Sequence, residues 1–264
     1  MAQYLGANLG PIGSFDPTVV ARSGLNAIRC TNDPNAAVGP CRQWLSDLRA
    51  LGISVMMCLD GATNSRDWRT GITIAADAYG DLVTWWQICN EPDAGWTGDD
   101  GPSLEQRRSE QVSSWVMTQA EVTDRMRMAR AVLTPKSFLI GPGLCSGRVD
   151  WAQSIAWQDV DAIAIHPYAK FPGTPELNAM IDDYVRLGKP VWVSEFDMST
   201  RGMPSALAQD KRLVGAIGYC WSDIQNPGFG ITDTAQQPKE PLFGEFAAIA
   251  KTLPRHTISS PPVT

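Results

Sequence analysis

The chain has only two histidines in 264 residues, His166 and His256, and no C-x-x-C pair, so no zinc site is expected. It has no basic excess either: 22 Lys and Arg stand against 28 Asp and Glu, for a net charge of -6. No basic block stands out, and nucleic acid is not an expected partner. No apolar run is long enough to predict a membrane-spanning helix. The opening M-A-Q-Y-L-G-A-N-L-G carries neither a basic region nor a long apolar segment, so no signal peptide is expected. No G-x-G-x-x-G or P-loop opens a helix, which leaves an open nucleotide-binding sheet without support. No short solenoid-type repeat is present.

What the sequence does contain is 44% hydrophobic residues in a length suited to one large domain. Six cysteines are present, and Cys58, Cys89 and Cys220 sit inside apolar runs, the setting of buried free thiols. Cys30 and Cys41 flank a loop rich in Asn, Pro and Gly, where either a disulfide or free thiols would fit. Short apolar runs recur at Tyr4 to Asn8, Ala27 to Arg29, Ser54 to Leu59, Trp86 to Asn90, Phe138 to Gly141, Ala162 to Ile165, Val191 to Ser194 and Ile217 to Trp221. Such runs read as parallel strands covered on both faces.

Helical segments separate these runs. Asp16-Pro17 supplies an N-cap and a first-turn proline. The stretch after Gly39-Pro40 has helical spacing up to Gly52, Asp67 to Gly80 is a weaker candidate, and Ile72 to Gly80 makes a meagre third helix. Ser103 to Gln106 resembles a capping box opening a long charged helix that runs to Thr134. Further helices are predicted over Arg148 to Trp157, Thr174 to Leu187, Pro204 to Val214 and Pro241 to Leu253. Eight strand-helix units predict a single closed (β/α)8 TIM barrel over residues 1–254. The Pro/Ser-rich residues 255–264 are expected to form a flexible tail.

In such a barrel the chemistry lies at the C-terminal strand ends. Those ends carry Asn8, Arg29, Asp60, Asn90-Glu91, His166-Pro167-Tyr168, Glu195, and Trp221 with Asp223. Strand alternation puts Gln87, Cys89 and Glu91 on one face, and Val191, Val193 and Glu195 on another. If those faces point inward, the two glutamates look at each other across the mouth. Two facing carboxylates, one protonated and one ionised, are what glycoside hydrolysis needs.

The ordered set C-N-E-P, H-P-Y, S-E-F and W-S-D after strands four, six, seven and eight, with Arg29 on strand two, resembles the clan A retaining glycoside hydrolases. This group includes cellulases, mannanases, xylanases and β-1,3-glucanases. The resemblance implies Glu91 as general acid/base, Glu195 as nucleophile and Asn90 as partner of the sugar 2-hydroxyl. It further implies Arg29 and Tyr168 as supports of Glu195, His166 as a subsite residue and Trp221 as the platform under the sugar. The carboxyl groups should then stand about 5–5.5 Å apart, the retaining geometry. No cofactor or metal is required by that mechanism.

Plainer readings exist for the same residues. Arg29 would serve as a structural ion-pair partner of Asp60, His166 as a satisfied polar residue near the core, and Trp221 as core. Trp68 and Trp96 fall near the mouth and are candidates for stacking on sugar rings, whereas Trp44, Trp115 and Trp192 are expected to pack helices onto the barrel. Asp93, Asp197 and Asp223 also lie near the mouth. Short loops suggest an open cleft and endo action. The expected partner is a polysaccharide or oligosaccharide, extracellular or on a cell surface, acted on by a monomer. The alternatives are a non-catalytic carbohydrate-binding protein on a hydrolase scaffold and a phage-associated hydrolase of a bacterial surface glycan.

Overall fold

The computed structural model describes residues 2–32, 37–59, 65–99, 101–110, 116–134, 137–168, 173, 175–200 and 202–253. Asp60, Trp115 and the 255–264 tail lie outside the described residues. Eight parallel strands close into a barrel in sequence order: β1 (Tyr4–Pro11), β2 (Ala27–Thr31), β3 (Ser54–Leu59), β4 (Trp85–Ile88), β5 (Phe138–Leu144), β6 (Ala162–Ile165), β7 (Val191–Val193) and β8 (Leu213–Gly218). Closure is made by β8 on β1, with Tyr4 opposite Gly215 and Ala7 opposite Gly218. The predicted (β/α)8 barrel is therefore the observed fold.

Around it lie α1 (Pro17–Arg22), α2 (Val38–Ala50), α3 (Ser65–Tyr79), α4 (Leu104–Glu110), α5 (Gln119–Val132), α6 (Val149–Gln153), α7 (Pro175–Val185), α8 (Met203–Gln209) and α9 (Leu242–Ala250). The local signals explain several of these boundaries. Asp16 caps α1 by accepting from the Thr18 N–H, and Pro17 opens its first turn. Far from meagre, α3 spans 15 residues. The long charged helix is in fact two. Ser103 and Gln106 form reciprocal capping bonds at α4, and Thr118 with Glu121 forms a second capping box at α5. Among the described residues no helix is long and apolar enough to cross a membrane.

Two apolar layers position the site. The larger lies between the barrel wall and the helices. The smaller fills the barrel interior with Tyr4, Met56, Trp85, Ile140, Trp192 and Ile217. Tyr4 meets Trp85 edge-on at 4.5 Å and stacks on Trp192 at 5.6 Å. Gly215 makes room for this plug, because a Cβ there would stand 2.5 Å from the Trp192 ring. Trp192 is thus barrel interior, not a helix-packing residue as expected. Trp44 does pack in the outer layer, and its indole N–H donates to the Phe15 carbonyl. All six cysteines, Cys30 and Cys41 included, are free thiols.

Candidate active site

Inward alternation agrees with the expected face on β4 at Gln87 and is the reverse of it on β7. On β4 the inward side chains are Trp85 and Gln87, while Trp86, Ile88 and Cys89 belong to the outer layer. On β7 Trp192 and Ser194 point inward, and Val191 and Val193 outward. Continued alternation would carry Cys89 and Glu91 inward after Gln87, but would turn Glu195 away from the mouth after Ser194. Cys89 breaks the first pattern, and Glu195 reaches the mouth, because both strands have ended. Cys89 and Glu91 adopt φ of 66° and 46°, a left-handed conformation that side chains rarely take and that needs outside support. Gly143 on β5 supplies it, accepting from the Glu91 N–H at 2.9 Å and donating to the Cys89 carbonyl at 3.3 Å.

Glu195 is 6% exposed and fully engaged. Its Oε1 accepts from Arg29 at 2.5 Å and from Asn8 at 3.3 Å, and its Oε2 accepts from the Tyr168 hydroxyl at 2.5 Å. Burial, and after it the Glu195 charge, pushes the Tyr168 hydroxyl far above its ordinary value, so it remains a donor. Burial alone would weaken the Arg29 charge, but the negative groups around it, Glu195 among them, more than offset that. Arg29 pairs with Glu195, and also donates to Gln87 at 2.6 Å, Asn90 at 2.6 Å and the Cys58 sulfur at 3.3 Å. Because Asn90 accepts through its oxygen, its NH2 group remains to donate to a ligand.

Glu91 stands opposite, with its side chain 23% exposed. Burial would raise its carboxyl, yet the 2.8 Å hydrogen bond and electrostatic attraction of His166, with the Arg29 charge, outweigh burial and lower it. Oxygens of Glu91 and Glu195 and a ring nitrogen of His166 all lie within 4.8 Å of one another. This is also a cation-sized donor set, but the oxygens of Glu195 are already occupied by Arg29, Asn8 and Tyr168. An open cavity of about 320 Å³ adjoins Glu195, lined by Asn8, Arg29, Cys58, Asn90, Tyr219 and Gln225 among others. Glu91 is not in that lining, and an oxygen of it lies within 4.8 Å of one of Glu195, which is.

The structure thus brings together Arg29, Asn90, Glu91, His166, Tyr168 and Glu195 at one mouth. It does not bring Trp221 there. Trp221 is fully buried in the outer layer against Phe243 and offers no face to a sugar. The cause is the position of β8, which ends at Gly218, so the first aromatic beyond it is Tyr219, a cavity residue. Trp68 is likewise buried, under the Arg125 guanidinium at 4.7 Å, and cannot stack on a ligand. Trp96 is partly exposed, with Arg148 over its ring at 5.2 Å.

The acidic residues near the mouth shape loops. Asp93 is buried and accepts from the Cys145 and Ser146 N–H groups. Asp197 accepts from Ser199 and Thr200. Asp223 gathers Gly228, Gly230 and Lys239. Sequence reasoning also missed Gln87 and Ser194. The one available signal was their polarity inside apolar strands, which demands a partner.

Gly143 carries a testable consequence. A Cβ there would stand 2.2 Å from His166 Nε2 and 2.7 Å from Gln87 Nε2. Gly143→Ala is expected to lower stability by about 1–3 kcal/mol, the cost of overpacking, and to push His166 away from Glu91. Denaturant unfolding measures the first effect. An unchanged midpoint would mean that the neighbours yield freely.

No family model and no curated protein matches the chain at the level of sequence. Solved structures do match. Gas2p of Saccharomyces cerevisiae, in complex with laminaritriose and laminaritetraose, superposes with a TM-score of 0.68 at 14% identity, over 100% of this chain and 70% of that one. Gas2 with a small compound gives 0.69 at 16% identity, over 97% and 67%. A Gas2p glutamate-to-glutamine variant, in complex with laminaritetraose and laminaripentaose, gives 0.67 at 15%, over 100% and 68%. At these identities the likeness is one of fold: the (β/α)8 barrel of this chain is similar to that of Gas2p.

Proposed function

We propose that the protein is a retaining, endo-acting glycoside hydrolase of a β-linked polysaccharide. The observation that carries this reading is the close approach of two differently held carboxylates, with oxygens within 4.8 Å. Retaining enzymes place the two carboxyl groups about 5–5.5 Å apart, whereas inverting enzymes need about 6.5–9.5 Å to admit a water between them. Glu195, paired with Arg29 and aimed by Tyr168, attacks the anomeric carbon. Glu91 gives its proton to the departing glycosidic oxygen, then takes a proton from the water that releases the sugar. The Asn90 amide donates to the 2-hydroxyl, and Tyr219 and Gln225 flank the bound chain.

In the free protein Glu91 is held low, which favours the ionised form. A glycan laid over its exposed part removes the remaining water and raises the carboxyl toward the protonated state the first step needs. His166→Leu removes the strongest opposition to burial, so the Glu91 carboxyl rises. The alkaline limb of the kcat/KM profile is then expected to move to higher pH, since Glu91 keeps its proton longer. The sign for stability follows from the same shift. A depressed carboxyl contributes stability that is full above its unfolded value, about 4.3, and is lost as pH falls through the folded value. His166→Leu should flatten that acid-side loss. A pH–rate profile and acid unfolding check both, and a limb that stays put would show that His166 does not set Glu91.

The function itself is tested by reducing-end release from β-1,3- and β-1,4-glucans, mannan, xylan, galactan and bacterial surface glycans. The Gas2p complexes with laminari-oligosaccharides put β-1,3-glucan first in this panel. Activity on one polysaccharide, lost in Glu195→Gln, supports the reading. Binding without turnover would instead mark a carbohydrate-binding protein on a hydrolase scaffold.

A further inference from the structure

Beneath the mouth a continuous chain of hydrogen bonds joins the two carboxylates. It runs from Glu195 to Arg29 at 2.5 Å, to Gln87 at 2.6 Å, to Ser194 at 3.0 Å, to His166 Nε2 at 3.0 Å, and from His166 Nδ1 to Glu91 at 2.8 Å. Gln87 and Ser194 are fully buried and His166 is 1% exposed, so water does not complete their bonding.

The direction of each bond is fixed from the Arg29 end. The guanidinium only donates, so the group facing its Nε must be the Gln87 oxygen. The Gln87 NH2 therefore faces Ser194 and donates to it. Ser194 Oγ must place its own hydrogen, and its two side-chain neighbours are that NH2, which cannot accept, and His166 Nε2. The hydroxyl donates to Nε2, which leaves the ring proton on Nδ1, where it meets Glu91 Oε1.

We propose that Gln87 and Ser194 are positioning residues that set the His166 tautomer and thereby decide which oxygen of Glu91 carries the transferable proton. With Oε1 already accepting from Nδ1–H, the proton Glu91 donates resides on Oε2. That catalytic role rests on the reading of Glu91 as acid/base, but the tautomer itself does not. The arrangement ties the two carboxylates together: the same Arg29 that pairs with Glu195 orients the relay behind Glu91.

The test is the nitrogen resonances of the full chain carrying 15N-labelled histidine at pH 7. His256 is the other histidine, and His256→Gln assigns the spectrum. His166 is expected to show a protonated Nδ1 and a bare Nε2. Gln87→Glu reverses the relay, because a carboxylate accepts from both Arg29 and Ser194. The hydroxyl then turns to residue 87, and His166 is expected to carry a proton on Nε2. In that variant kcat should fall about tenfold or more while KM stays within about twofold, since a proton is misplaced and no sugar contact is lost.

A native His166 protonated on Nε2 overturns the proposal, as does a folded Gln87→Glu that keeps the native spectrum. Where the variant does not fold, the native spectrum alone decides. Native protein with the expected tautomer and no hydrolysis of any glycan would leave the relay intact and sink the glycosidase reading instead.

Discussion

Glu91→Ala is expected to slow cleavage of an unactivated glycosidic bond by about 10²–10⁴-fold, the usual contribution of a positioned general acid. The same variant should cleave a nitrophenyl glycoside at a much smaller loss, because nitrophenolate leaves without a proton. Release of the sugar from Glu195 then becomes slow, since no base remains to activate water. Azide needs no such base. It fits the space vacated by the Glu91 side chain, which stands within 4.8 Å of Glu195. It attacks the glycosyl-enzyme on the face the leaving group has left, and the product is the β-glycosyl azide. Glu195→Ala should behave oppositely. Azide there occupies the place of the nucleophile and gives the α-glycosyl azide from an activated β-glycoside. Product stereochemistry by NMR distinguishes the two variants. The same anomer from both, or full activity on natural glycan in either, would remove the assigned roles.

The parts of this arrangement that the sequence disclosed are those where an apolar run ends on a polar residue. Arg29 stands on the inward side of β2 near its end, and Glu91 and Glu195 follow β4 and β7 within a few residues. Buried parallel strands leave such an outline because both faces must be apolar. Alternation beyond the strand ends did not survive. Cys89 and Glu91 turn at positive φ, a choice enforced by Gly143 some fifty residues away, and no local pattern announces it. The eighth strand was placed too late for a related reason. Leu213–Gly218 carries two glycines, which weaken strand propensity, while the following Tyr219, Cys220 and Trp221 look more strand-like. That displacement exchanged Tyr219, which lines the cavity, for Trp221, which is core. Gln87 and Ser194 illustrate a different limit. A buried polar residue in a strand signals that a partner exists, but which partner depends on barrel closure, which brings β2, β4 and β7 around one axis.

Arg29→Leu is expected to produce the largest loss of stability of any single change at the mouth. Arg29 is 2% exposed and serves Glu195, Gln87, Asn90 and Cys58 together. Removing it leaves the Glu195 carboxylate buried with only Asn8 and Tyr168 as donors. Breaking one side of a buried ion pair costs about 3–5 kcal/mol, mostly the penalty of the charge left behind. For a chain of this size that corresponds to a fall in Tm of roughly 6–20 °C. The same change takes away the cation that pairs with Glu195, so under the proposed mechanism turnover should fall along with stability. The origin of the cost separates this account from simple loss of packing. If the cost is the stranded carboxylate, adding Glu195→Gln to Arg29→Leu returns part of the stability, because a neutral amide replaces the unpaired charge. If the cost is packing, the second substitution adds its own penalty and the double variant is the least stable of the set. Thermal unfolding of the wild type, both single variants and the double variant closes the cycle. A coupling energy near zero would mean that Arg29 and Glu195 act independently, against the 2.5 Å contact that joins them.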